Sequence, residues 1–581
     1  MTSTHSPAYP SYRKPPPPSS SSGSPPSGSG TAWPDRLRVA VWLVPALLVA
    51  YAGFRRRWMS DDAYIYVRTV RQVLAGNGPV FNAGERVESS TGTLWQWLLA
   101  GAGAAGADVA SAAVFGGLLL TAAGFALAGI GALRTYGGRV AVPLGSLVLL
   151  GLPPVWDFAT SGLETGLATC WIAGAWLALT VRPTSLSTSA VIGLGPLVRP
   201  DLGLVTAVFL GAQWWLVRPS WRGALAGAGV SGALPGAYEV FRAGYYGHLV
   251  PLPAVTKEAS RSLWGRGLAY LGDLAHPYLL WVPALFVAAA VLAPRGGPRE
   301  EVRGGACGSG AARAVPALAP VVAGLLCWVY VVKVGGDFMH GRMLLPGLLL
   351  MLLPVFAVPV TRVGATASVC VGLWAVVCAG WLRIPYGGQI GPAGIADERG
   401  VYVRHNADPH PVRHTFAGAP HHLEYVRKVA AARRSGDPVL LFGKEARVVA
   451  DRGGLTASYV VLGLNGTVVP LDGAALDPIG LAYPLAAHSE RVGQGRVGHD
   501  KRLPAAWLAA DRGAGRPAWA DPGEVDAARR ALRCGGLAEL DGAVRGPLTA
   551  GRFLRNIAGA WERTAFRFPP DPGLAEKELC G

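Results

Sequence analysis

Two adjacent aspartates, Asp61 and Asp62, follow the first long hydrophobic run of this chain within the stretch Ser60–Tyr64. An unpaired charge costs several kcal/mol in hydrocarbon, so these carboxylates cannot serve as core packing residues. At the water-facing end of a membrane span, they would be able to act as a nucleophilic or acid/base centre. On a helix the two side chains point in different directions. The structural alternative is a helix that begins with Ser60 as its N-cap and acids in its first turn, and the two roles are compatible.

Two further polar clusters adjoin apolar runs. Asp157 and Glu164 bracket a short turn, in which Ser161 and Glu164 have the spacing of a helix N-cap and its capping box. Arg199 and Asp201 flank a proline between two apolar runs. They would be able to pair and so reduce the free-energy cost of burying each other, and the alternative is a plain loop turn.

A fourth cluster, Gly335–Arg342, is the densest. It places an acid, a titratable imidazole and a guanidinium suited to phosphate within six residues, at Asp337, His340 and Arg342. The leading glycines permit close approach of the backbone. This density beside a hydrophobic run predicts a functional loop.

The composition predicts a polytopic α-helical membrane protein. Of 581 residues, 51% are hydrophobic and 15% are charged, whereas a soluble domain carries about 25% charged residues. Apolar runs recur from about residue 39 to 383, and we expect about ten to twelve crossings. Arginine-rich short loops explain the net charge of +17, and no basic soluble face indicates a nucleic-acid partner.

The sequence divides into three regions. Residues 1–34 form a Pro/Ser/Gly tail, which we expect to be disordered and cytoplasmic. Residues 35–383 form the transmembrane domain, with a first external loop at 55–90. Residues 384–581 have globular composition and predict a mixed α/β domain outside the cytoplasm. The positive-inside rule places three shorter loops on the same external side, at 156–164, 244–262 and 335–342, and it makes the arginine-rich loop 295–313 cytoplasmic.

The C-terminal region contains short apolar runs at 438–442 and 459–463, which predict strands. Trp507 and Trp519 are candidate platforms for sugar stacking, although core packing is the simpler interpretation. The sequence contains no Walker A loop, no dinucleotide-binding GxGxxG and no HExxH. It therefore offers no sign of ATP, nicotinamide or a dedicated zinc site, and an activated donor would have to arrive already in the lipid.

The sequence contains two further residue pairs whose members would be able to interact. Cys534 and Cys580 flank much of the C-terminal region, and they would be able to form a disulfide if that region lies outside the cytoplasm. Lys257 and Glu258 are interpreted as an exposed charged pair.

Taken together, these motifs resemble the terminal β-(1→2)-arabinofuranosyltransferases of actinobacteria, the AftB family within the GT-C superfamily. The resemblance covers about residues 36–580. It rests on five stretches that occur in the same order: Ser60–Tyr64, Glu88–Trp95, Thr160–Thr165, Arg199–Asp201 and Gly335–Arg342. Each stretch alone is a modest signal, but their shared order on a polytopic chain is specific. The richness in Ala, Gly, Arg and Pro also suggests a GC-rich actinobacterial genome.

The resemblance implies an activity. Such enzymes transfer an arabinofuranosyl group from decaprenylphosphoryl-arabinose to the ends of arabinan in arabinogalactan and lipoarabinomannan, on the external face of the plasma membrane. The GT-C pattern places Asp61 and Asp62 at the reaction centre. The family donor and product are both β-linked, so the reaction retains configuration. Retention requires either a carboxylate nucleophile with a second acid/base group or a front-face pathway.

The remaining site assignments extend this resemblance. Arg342, with Arg199 and His340, would hold the leaving polyprenyl phosphate through charge-assisted hydrogen bonds. The other expected substrate-binding side chains are Tyr64, Asp157, Glu164, Asp201 and Asp337. A divalent cation (Mg²⁺, Mn²⁺ or Ca²⁺) would be able to bridge carboxylates and phosphate, and the sequence neither requires nor excludes one.

Three alternative functions remain open. One is a transferase that uses another polyprenyl-phosphate sugar, such as a mannosyl donor. A second is a membrane transporter, although transporters usually show internal repeats and broken spans at mid-membrane, whereas the acidic groups here cluster at the mouths of spans. The third is a non-catalytic scaffold of the cell envelope.

Overall fold

The structure is a computed structural model that describes residues 35–581 except 136–140, 259–260, 294–309, 444–445, 450–453, 494 and 516. The predicted tail 1–34 and most of the arginine-rich loop 295–313 lie outside the described residues.

Helices dominate the N-terminal two thirds of the chain. They are α1 Asp35–Arg55, α2 Asp61–Leu74, α3 Thr93–Ala104, α4 Val109–Thr135, α5 Gly145–Gly151, α6 Pro153–Phe158, α7 Thr165–Val181, α8 Leu186–Gly193, α9 Gly195–Val198, α10 Gly203–Val217, α11 Trp221–Tyr245, α12 Leu252–Thr256, α13 Trp264–Ala275, α14 Trp281–Leu292, α15 Gly310–Lys333, α16 Leu345–Leu352 and α17 Arg362–Gly380. The first hydrophobic run ends at Arg55, close to the predicted boundary.

The membrane-spanning character of this region follows from helix length and composition. In the described ranges, five helical segments are long and apolar enough to cross a bilayer: Arg38–Arg55, Val109–Thr135, Pro200–Val217, Ala314–Lys333 and Arg362–Gly380. Four shorter apolar helical segments accompany them: Thr165–Val181, Leu186–Val198, Trp281–Leu292 and Arg342–Val355. The predicted polytopic α-helical membrane architecture is confirmed, and the number of crossings stays a prediction.

Two of the apolar runs between residues 39 and 383 are broken rather than continuous. The run at 140–153 contains strand β1 (Ala141–Pro143) before α5, and the run at 343–360 ends in strand β2 (Ala357–Pro359) after α16. The two strands pair antiparallel. This pairing satisfies backbone N–H and C=O groups that the flanking helices leave free.

The C-terminal region is a mixed α/β domain, as predicted. Its helices are α18 Glu398–Asn406, α19 Leu423–Ser435, α20 Leu462–Val468, α21 Pro484–His488, α22 Ala505–Arg512, α23 Pro522–Ala531, α24 Gly535–Arg545, α25 Ala550–Ala565 and α26 Pro572–Cys580. Its strands are β3 Val439–Phe442, β4 Ala446–Val449, β5 Leu455–Ser458 and β6 Ala474–Leu476. They form one sheet in the order β4-β3-β5-β6, in which only the β3–β4 pair is antiparallel.

One strand prediction is confirmed and the other is wrong. The run at 438–442 forms β3, but the run at 459–463 lies after the end of β5, and α20 begins within it at Leu462. The reason is tertiary, because the first turn of α20 contacts α2. A Cβ on Gly463 would lie only 2.1 Å from the carbonyl oxygen of Asp61, so this approach requires glycine.

The open assignments of the C-terminal domain are also resolved. Trp507 is fully buried and its indole N–H donates to the carbonyl of Pro570 at 2.8 Å, so it is a core residue. Trp519 stacks on Phe442 with ring centroids 5.4 Å apart. Cys534 and Cys580 form a disulfide with a Cα–Cα distance of 5.3 Å, which ties α26 to the start of α24.

The C-terminal domain is held against the region 55–90 by a buried arginine. The Arg68 guanidinium is 1% exposed and donates to five carbonyl oxygens, those of Phe81, Gly466, Val469, Pro470 and Gly473. Asn82 also exchanges two hydrogen bonds with the backbone of Ala475 in β6. These contacts satisfy buried polar groups on both sides and fix α2 relative to the C-terminal domain.

Candidate active site

The site is built around the start of α2. The Ser60 hydroxyl accepts from the Ala63 N–H at 3.3 Å, so the predicted N-cap is confirmed. The segment before it is held by neighbouring loops, because the Trp58 indole donates to the Asp157 carbonyl and the Ser60 N–H donates to the Ser161 carbonyl. The first turn of α2 therefore has a defined position at the meeting point of several loops.

Asp61 faces the C-terminal domain. Its two carboxylate oxygens accept from the N–H groups of Gly463 and Leu464, both at 2.8 Å, at the start of α20. Burial raises the pKa of Asp61 to about 7, against the opposing effect of these two N–H donors. This carboxylate joins two parts of the chain, and both of its oxygens are occupied.

Asp62 faces the other way, as the helical geometry predicted. Its Oδ2 lies 3.9 Å from Nη1 of Arg342, whose Nε donates to Asp337 at 2.7 Å. Burial would raise the pKa of Asp337, but Arg342 and Lys257 outweigh this effect and hold the pKa below its usual value. The Arg342 guanidinium is therefore fixed on one side by a charged partner and presents another side to Asp62.

Arg342 also lines an apolar groove between membrane helices, which has a volume of about 40 Å³. The groove is lined by residues of α4 to α7 and α16: Thr121, Phe125, Leu149, Val155, Phe158, Ala159, Thr165, Thr169, Leu345, Pro346 and Leu349. A lipid with a charged head group fits this chemistry, because its tail would lie on apolar side chains and its head beside the guanidinium.

A carboxyl group that the sequence analysis did not select, Glu398, joins the site from the start of α18. The Ala396 N–H donates to the Phe338 carbonyl at 2.7 Å, and the His340 N–H donates to the Ala396 carbonyl at 3.1 Å. Burial, and next the charge of Asp62, raise the pKa of Glu398 to about 8. Its position depends on pairing between remote segments, so no local sequence signal could have found it.

Glu398 lines a cavity of about 130 Å³ together with Asp157 and His340. Asp157 accepts two hydrogen bonds from Arg56, at 2.6 and 2.9 Å, and lies 3.6 Å from Arg399. Asp157 thus holds two arginines at the wall of this cavity.

His340 belongs to a different cluster from Arg342. Its Nδ1 lies 2.6 Å from the Asp273 carboxylate and its Nε2 lies 3.0 Å from the Tyr278 hydroxyl. The predicted sharing of one phosphate by His340 and Arg342 gains no support from this arrangement, because the two side chains bind separate partners.

Arg199 and Asp201 form the predicted pair, with hydrogen bonds of 3.0 and 2.9 Å. Arg199 Nε also lies 3.9 Å from Glu164, which accepts from the Tyr66 hydroxyl at 3.0 Å. Tyr66 in turn accepts from the Gly92 N–H at 2.7 Å. The loops that carried the sequence motifs therefore meet at one place.

The predicted capping box at Ser161 and Glu164 is wrong. Helix α7 begins at Thr165, and Glu164 occupies the N-cap position without a capping side-chain hydrogen bond. The Ser161 hydroxyl instead donates to the Phe158 carbonyl. The pairing of Glu164 with Tyr66 competes with the local capping pattern and replaces it.

Tyr64 is 5% exposed and lies on the same helix as the two aspartates. Its hydroxyl has no hydrogen-bond partner among the described residues. Burial raises the pKa of this phenol above its usual value, so it stays a donor at neutral pH.

The C-terminal domain adds basic groups next to Phe338. The Arg496 guanidinium lies 4.8 Å and the Lys257 ammonium 5.8 Å from the centroid of the Phe338 ring. The interpretation of Lys257 and Glu258 as one exposed pair is wrong. Lys257 is half-buried beside Phe338, whereas Glu258 bonds Arg261 at 3.1 Å.

A metal site does not emerge from these side chains. Within the described ranges, no three His, Cys, Asp or Glu side chains form a group able to hold a metal ion. Asp61 and Asp62 bind separate partners, so together they do not offer the converging oxygen ligands that Mg²⁺ or Ca²⁺ prefers.

Three features define the class of protein. They are a polytopic helical membrane part, a carboxylate next to an arginine that lines an apolar groove, and a C-terminal α/β domain packed against the loops. This is a membrane glycosyltransferase of GT-C type. The expected fold class is thereby confirmed.

Comparisons with known proteins give the family. Residues 443–573 match the AftB family C-terminal domain. The chain is 34% identical over 627 aligned positions to the terminal beta-(1->2)-arabinofuranosyltransferase of Mycobacterium tuberculosis (strain H37Rv), with coverage of 94% of this chain and 98% of that relative. It is also 34% identical to the protein of the same name from Corynebacterium glutamicum, over 91% of this chain and 86% of that relative. No solved structure gives a significant match.

The chain therefore belongs to the terminal β-(1→2)-arabinofuranosyltransferase family, as the sequence motifs predicted. It is an arabinofuranosyltransferase of cell-wall arabinan synthesis, and its reaction uses a sugar donor and a glycan acceptor.

Proposed function

We propose that this enzyme takes an arabinofuranosyl group from decaprenylphosphoryl-arabinose and adds it to the ends of arabinan chains of the arabinogalactan and lipoarabinomannan type. The observation that supports a lipid-linked donor is the position of Arg342. Its guanidinium is fixed by Asp337, lies 3.9 Å from Asp62 and lines an apolar groove between membrane helices. A phosphate at this point would have its polyprenyl chain in the groove and its sugar next to Asp62.

The reaction side is proposed to be the external face of the plasma membrane. The site and the C-terminal domain lie at the same ends of the helices, whereas Arg134, Arg182, Arg218 and Arg362 lie at the opposite ends. The positive-inside rule assigns the arginine-rich ends to the cytoplasm. The disulfide between Cys534 and Cys580 supports this orientation, because disulfides persist outside reducing compartments.

Asp62 is the proposed nucleophile. Retention is the expected outcome, and two successive displacements produce it. In the first, an oxygen of Asp62 attacks C1 of the arabinose, the bond from C1 to the phosphate oxygen breaks, and its electron pair leaves on the phosphate. Asp61 is not suited to this step, because both of its oxygens accept backbone hydrogen bonds.

Glu398 is the proposed acid/base group of both displacements. Glu398 first gives its own proton to the leaving phosphate in the first displacement. The acceptor hydroxyl then attacks C1, the bond from C1 to Asp62 breaks, and the hydroxyl proton moves to the Glu398 carboxylate. Its pKa of about 8 is close to the working pH, which favours reversible proton transfer. The role rests on the charge interaction of Glu398 with Asp62 and on the position of Glu398 in the cavity with Asp157 and His340.

The other expected site residues have positioning roles in this proposal. Glu164 and Asp201 hold Arg199, and Asp157 holds Arg56, so that these guanidinium groups face the substrates in fixed orientations. Tyr64 offers an unpartnered hydroxyl to a sugar oxygen. A bound Mg²⁺, Mn²⁺ or Ca²⁺ would supply further positive charge, but the described side chains form no donor set for it, and no step requires it.

A transfer assay tests the proposal. Membranes that contain the enzyme receive radiolabelled decaprenylphosphoryl-arabinose and a short arabinan acceptor, and decaprenylphosphoryl-mannose serves as the competing donor. We expect arabinose transfer by wild type and by the control Asp108→Asn, whose exposed carboxylate lies at the start of α4, and loss of transfer in Asp62→Asn. Absence of transfer from the lipid-linked arabinose by folded wild type, or transfer of mannose instead, contradicts the donor assignment.

A further inference from the structure

Two cationic side chains beside the site, Lys257 and Arg496, lack the carboxylate partner that Arg342 has. Arg342 forms an ion pair with Asp337 at 2.7 Å, whereas neither Lys257 nor Arg496 has an ion pair with a carboxylate among the described residues. The Nε of Arg496 is buried and makes no hydrogen bond to the described part of the chain. Such buried donors are uncommon unless a ligand completes them.

These two cations come from different parts of the fold and converge on one loop. Lys257 directly follows α12 of the membrane part, and Arg496 belongs to a loop of the C-terminal domain that also places His499 at 5.2 Å from Phe338. The stem of Lys257 runs along Gly498, where an added Cβ would lie 3.0 Å from its Cε. Both charges therefore lie against the loop that carries Asp337 and Arg342.

The chemistry of transfer requires cations of this kind. A polyprenyl phosphodiester carries one negative charge, and the polyprenyl monophosphate that leaves carries up to two after it receives the electron pair of the broken bond to C1. Positive groups placed where charge develops stabilise the transition state more than the substrate. Arg342 alone is poorly suited to this task, because Asp337 already neutralises it and Asp62 faces it.

We propose that Lys257 and Arg496 form the phosphate-binding site for the lipid donor and the lipid product, beside Arg342. The identity of the lipid rests on the proposed function, but the anion site does not. Lys257 and Arg496 thereby take the phosphate-binding role that the sequence analysis gave to Arg199 and His340. Those two residues bind Asp201 and Asp273 instead. It also makes the site incomplete without the C-terminal domain, which supplies Arg496.

Binding measurements on the full chain in nanodiscs test this site. The probe is decaprenyl phosphate, and uncharged decaprenol is the matched ligand without the phosphate. We expect Arg496→Gln and Lys257→Gln each to raise the Kd for decaprenyl phosphate about tenfold, which is the size of one charge-assisted hydrogen bond. The Kd for decaprenol is unchanged. The control Arg502→Gln, at an exposed position near the same loop, leaves both constants unchanged.

The outcomes separate this proposal from the proposed function. Unchanged decaprenyl phosphate binding in both variants, or an equal loss for decaprenol, overturns the phosphate site. If wild type binds decaprenyl phosphate with the expected dependence on Arg496 but transfers no arabinose from the lipid-linked donor, the site stands and the donor assignment fails.

A separate observation concerns the outer face of α25. Leu554 is 65% exposed and Trp561 is 75% exposed, and Ala558 and Ala565 lie on the same helical stripe. The opposite stripe is buried, and its Asn556 donates to the Gly244 carbonyl of α11 at 2.9 Å. Helix α25 therefore has a second apolar face that no described residue covers.

The position of this face points to its partner. The ring of Phe553 in α25 lies against Gly244 near the end of α11, a helix of 25 residues. The same helix carries exposed apolar side chains, among them Leu234 and Val240, each 56% exposed. Helix α11 is not among the five segments that composition marks as spans, but these side chains give it an exposed apolar surface. Tryptophan is enriched at membrane–water interfaces. The apolar stripe of α25 thus lies next to the exposed apolar surface of α11.

We infer that α25 lies in the membrane interface and holds the C-terminal domain on the bilayer through Leu554 and Trp561. Spin labels at Leu554→Cys and Trp561→Cys test this in liposomes of phosphatidylcholine and phosphatidylglycerol, in a background without the unpaired cysteines. Leu574→Cys on α26 is the control, because it is also 60% exposed but belongs to another helix.

Collision with oxygen, which concentrates in lipid, and with a water-soluble nickel chelate gives the location of each label. We expect the labels at 554 and 561 to collide more with oxygen than with nickel, and the label at 574 to show the reverse. Nickel accessibility at 554 and 561 that equals that at 574 overturns the inference. The measurement needs no transferase activity, so it is independent of the donor assignment.

Discussion

Asp61 and Asp62 are neighbours in the sequence but bind opposite parts of the molecule. The oxygens of Asp61 accept from two backbone N–H groups of α20 at 2.8 Å, whereas Asp62 lies 3.9 Å from Arg342 of the membrane part. Because α2 begins at Asp61, the two side chains leave the helix about 100° apart. The pair therefore divides into a residue that joins domains and a residue that faces Arg342.

This division predicts different consequences of substitution. We expect Asp62→Asn to lower kcat at least about a thousandfold without loss of thermal stability, because it removes a group that acts on the substrate. Asp61→Ala leaves two buried N–H groups unpaired and should lower the free energy of unfolding by about 1–3 kcal/mol. Asp61→Asn keeps one acceptor and should lose less. Transfer rates and thermal unfolding of the same preparations check this, and equal loss of kcat in all three variants would contradict it.

Glu398 predicts a dependence of stability on pH. Its folded pKa of about 8 is above the value in an unfolded chain, so the native state holds an extra proton between about pH 4.5 and pH 8. The free energy of unfolding contributed by this group therefore falls as the pH rises through that window. We expect Glu398→Gln, which cannot ionise, to be more stable than wild type above pH 8 and to show a flatter profile. Melting temperatures at pH 5, 7 and 9 measure it, and parallel profiles would refute the assigned pKa.

Arg342 predicts a requirement for guanidinium rather than for positive charge alone. Arg342→Lys keeps the charge, but an ammonium cannot present two separate edges to Asp337 and Asp62. We expect kcat/KM to fall about a hundredfold in Arg342→Lys, and much less in the control Arg502→Lys. Retention of wild-type kcat/KM by Arg342→Lys would show that the fixed geometry is not needed.

The disulfide predicts a contribution to stability that is separate from activity. Cys534 and Cys580 are 46 positions apart in the sequence, and neither lines the groove. Their replacement by serine should lower the free energy of unfolding by about 2–4 kcal/mol, because the unfolded chain regains loop freedom. We expect transfer at low temperature to be unaffected. A loss of transfer before any loss of fold would place the disulfide in the working site.

Chelation tests the role proposed for the cationic side chains. Since the described residues offer no group of three metal ligands, we expect transfer to continue in excess EDTA at no less than about half the initial rate. Restoration of a lost rate by Mg²⁺, Mn²⁺ or Ca²⁺, but not by other salts, would instead assign a metal to the phosphate.

Local residue patterns were enough to predict the membrane architecture, the family and most of the site loops. Hydrophobic runs and short polar motifs are local properties, so the Ser60 cap, the Arg199–Asp201 pair and the loop at Asp337 could be identified from residue type and spacing. The same local reasoning failed where a remote partner competes, as at Glu164, whose carboxylate binds Tyr66 rather than capping its own helix.

Which carboxylate faces Arg342, and which groups surround it, depends on the tertiary structure. Glu398 reaches the site because residue 396 pairs with residues 338 and 340, and Arg496 reaches it because the C-terminal domain closes over the loops. These placements depend on contacts between segments that are far apart in the chain. Burial and charge at such contacts set the pKa values of the site and determine which cations lack a carboxylate partner. No local pattern of residues encodes these properties.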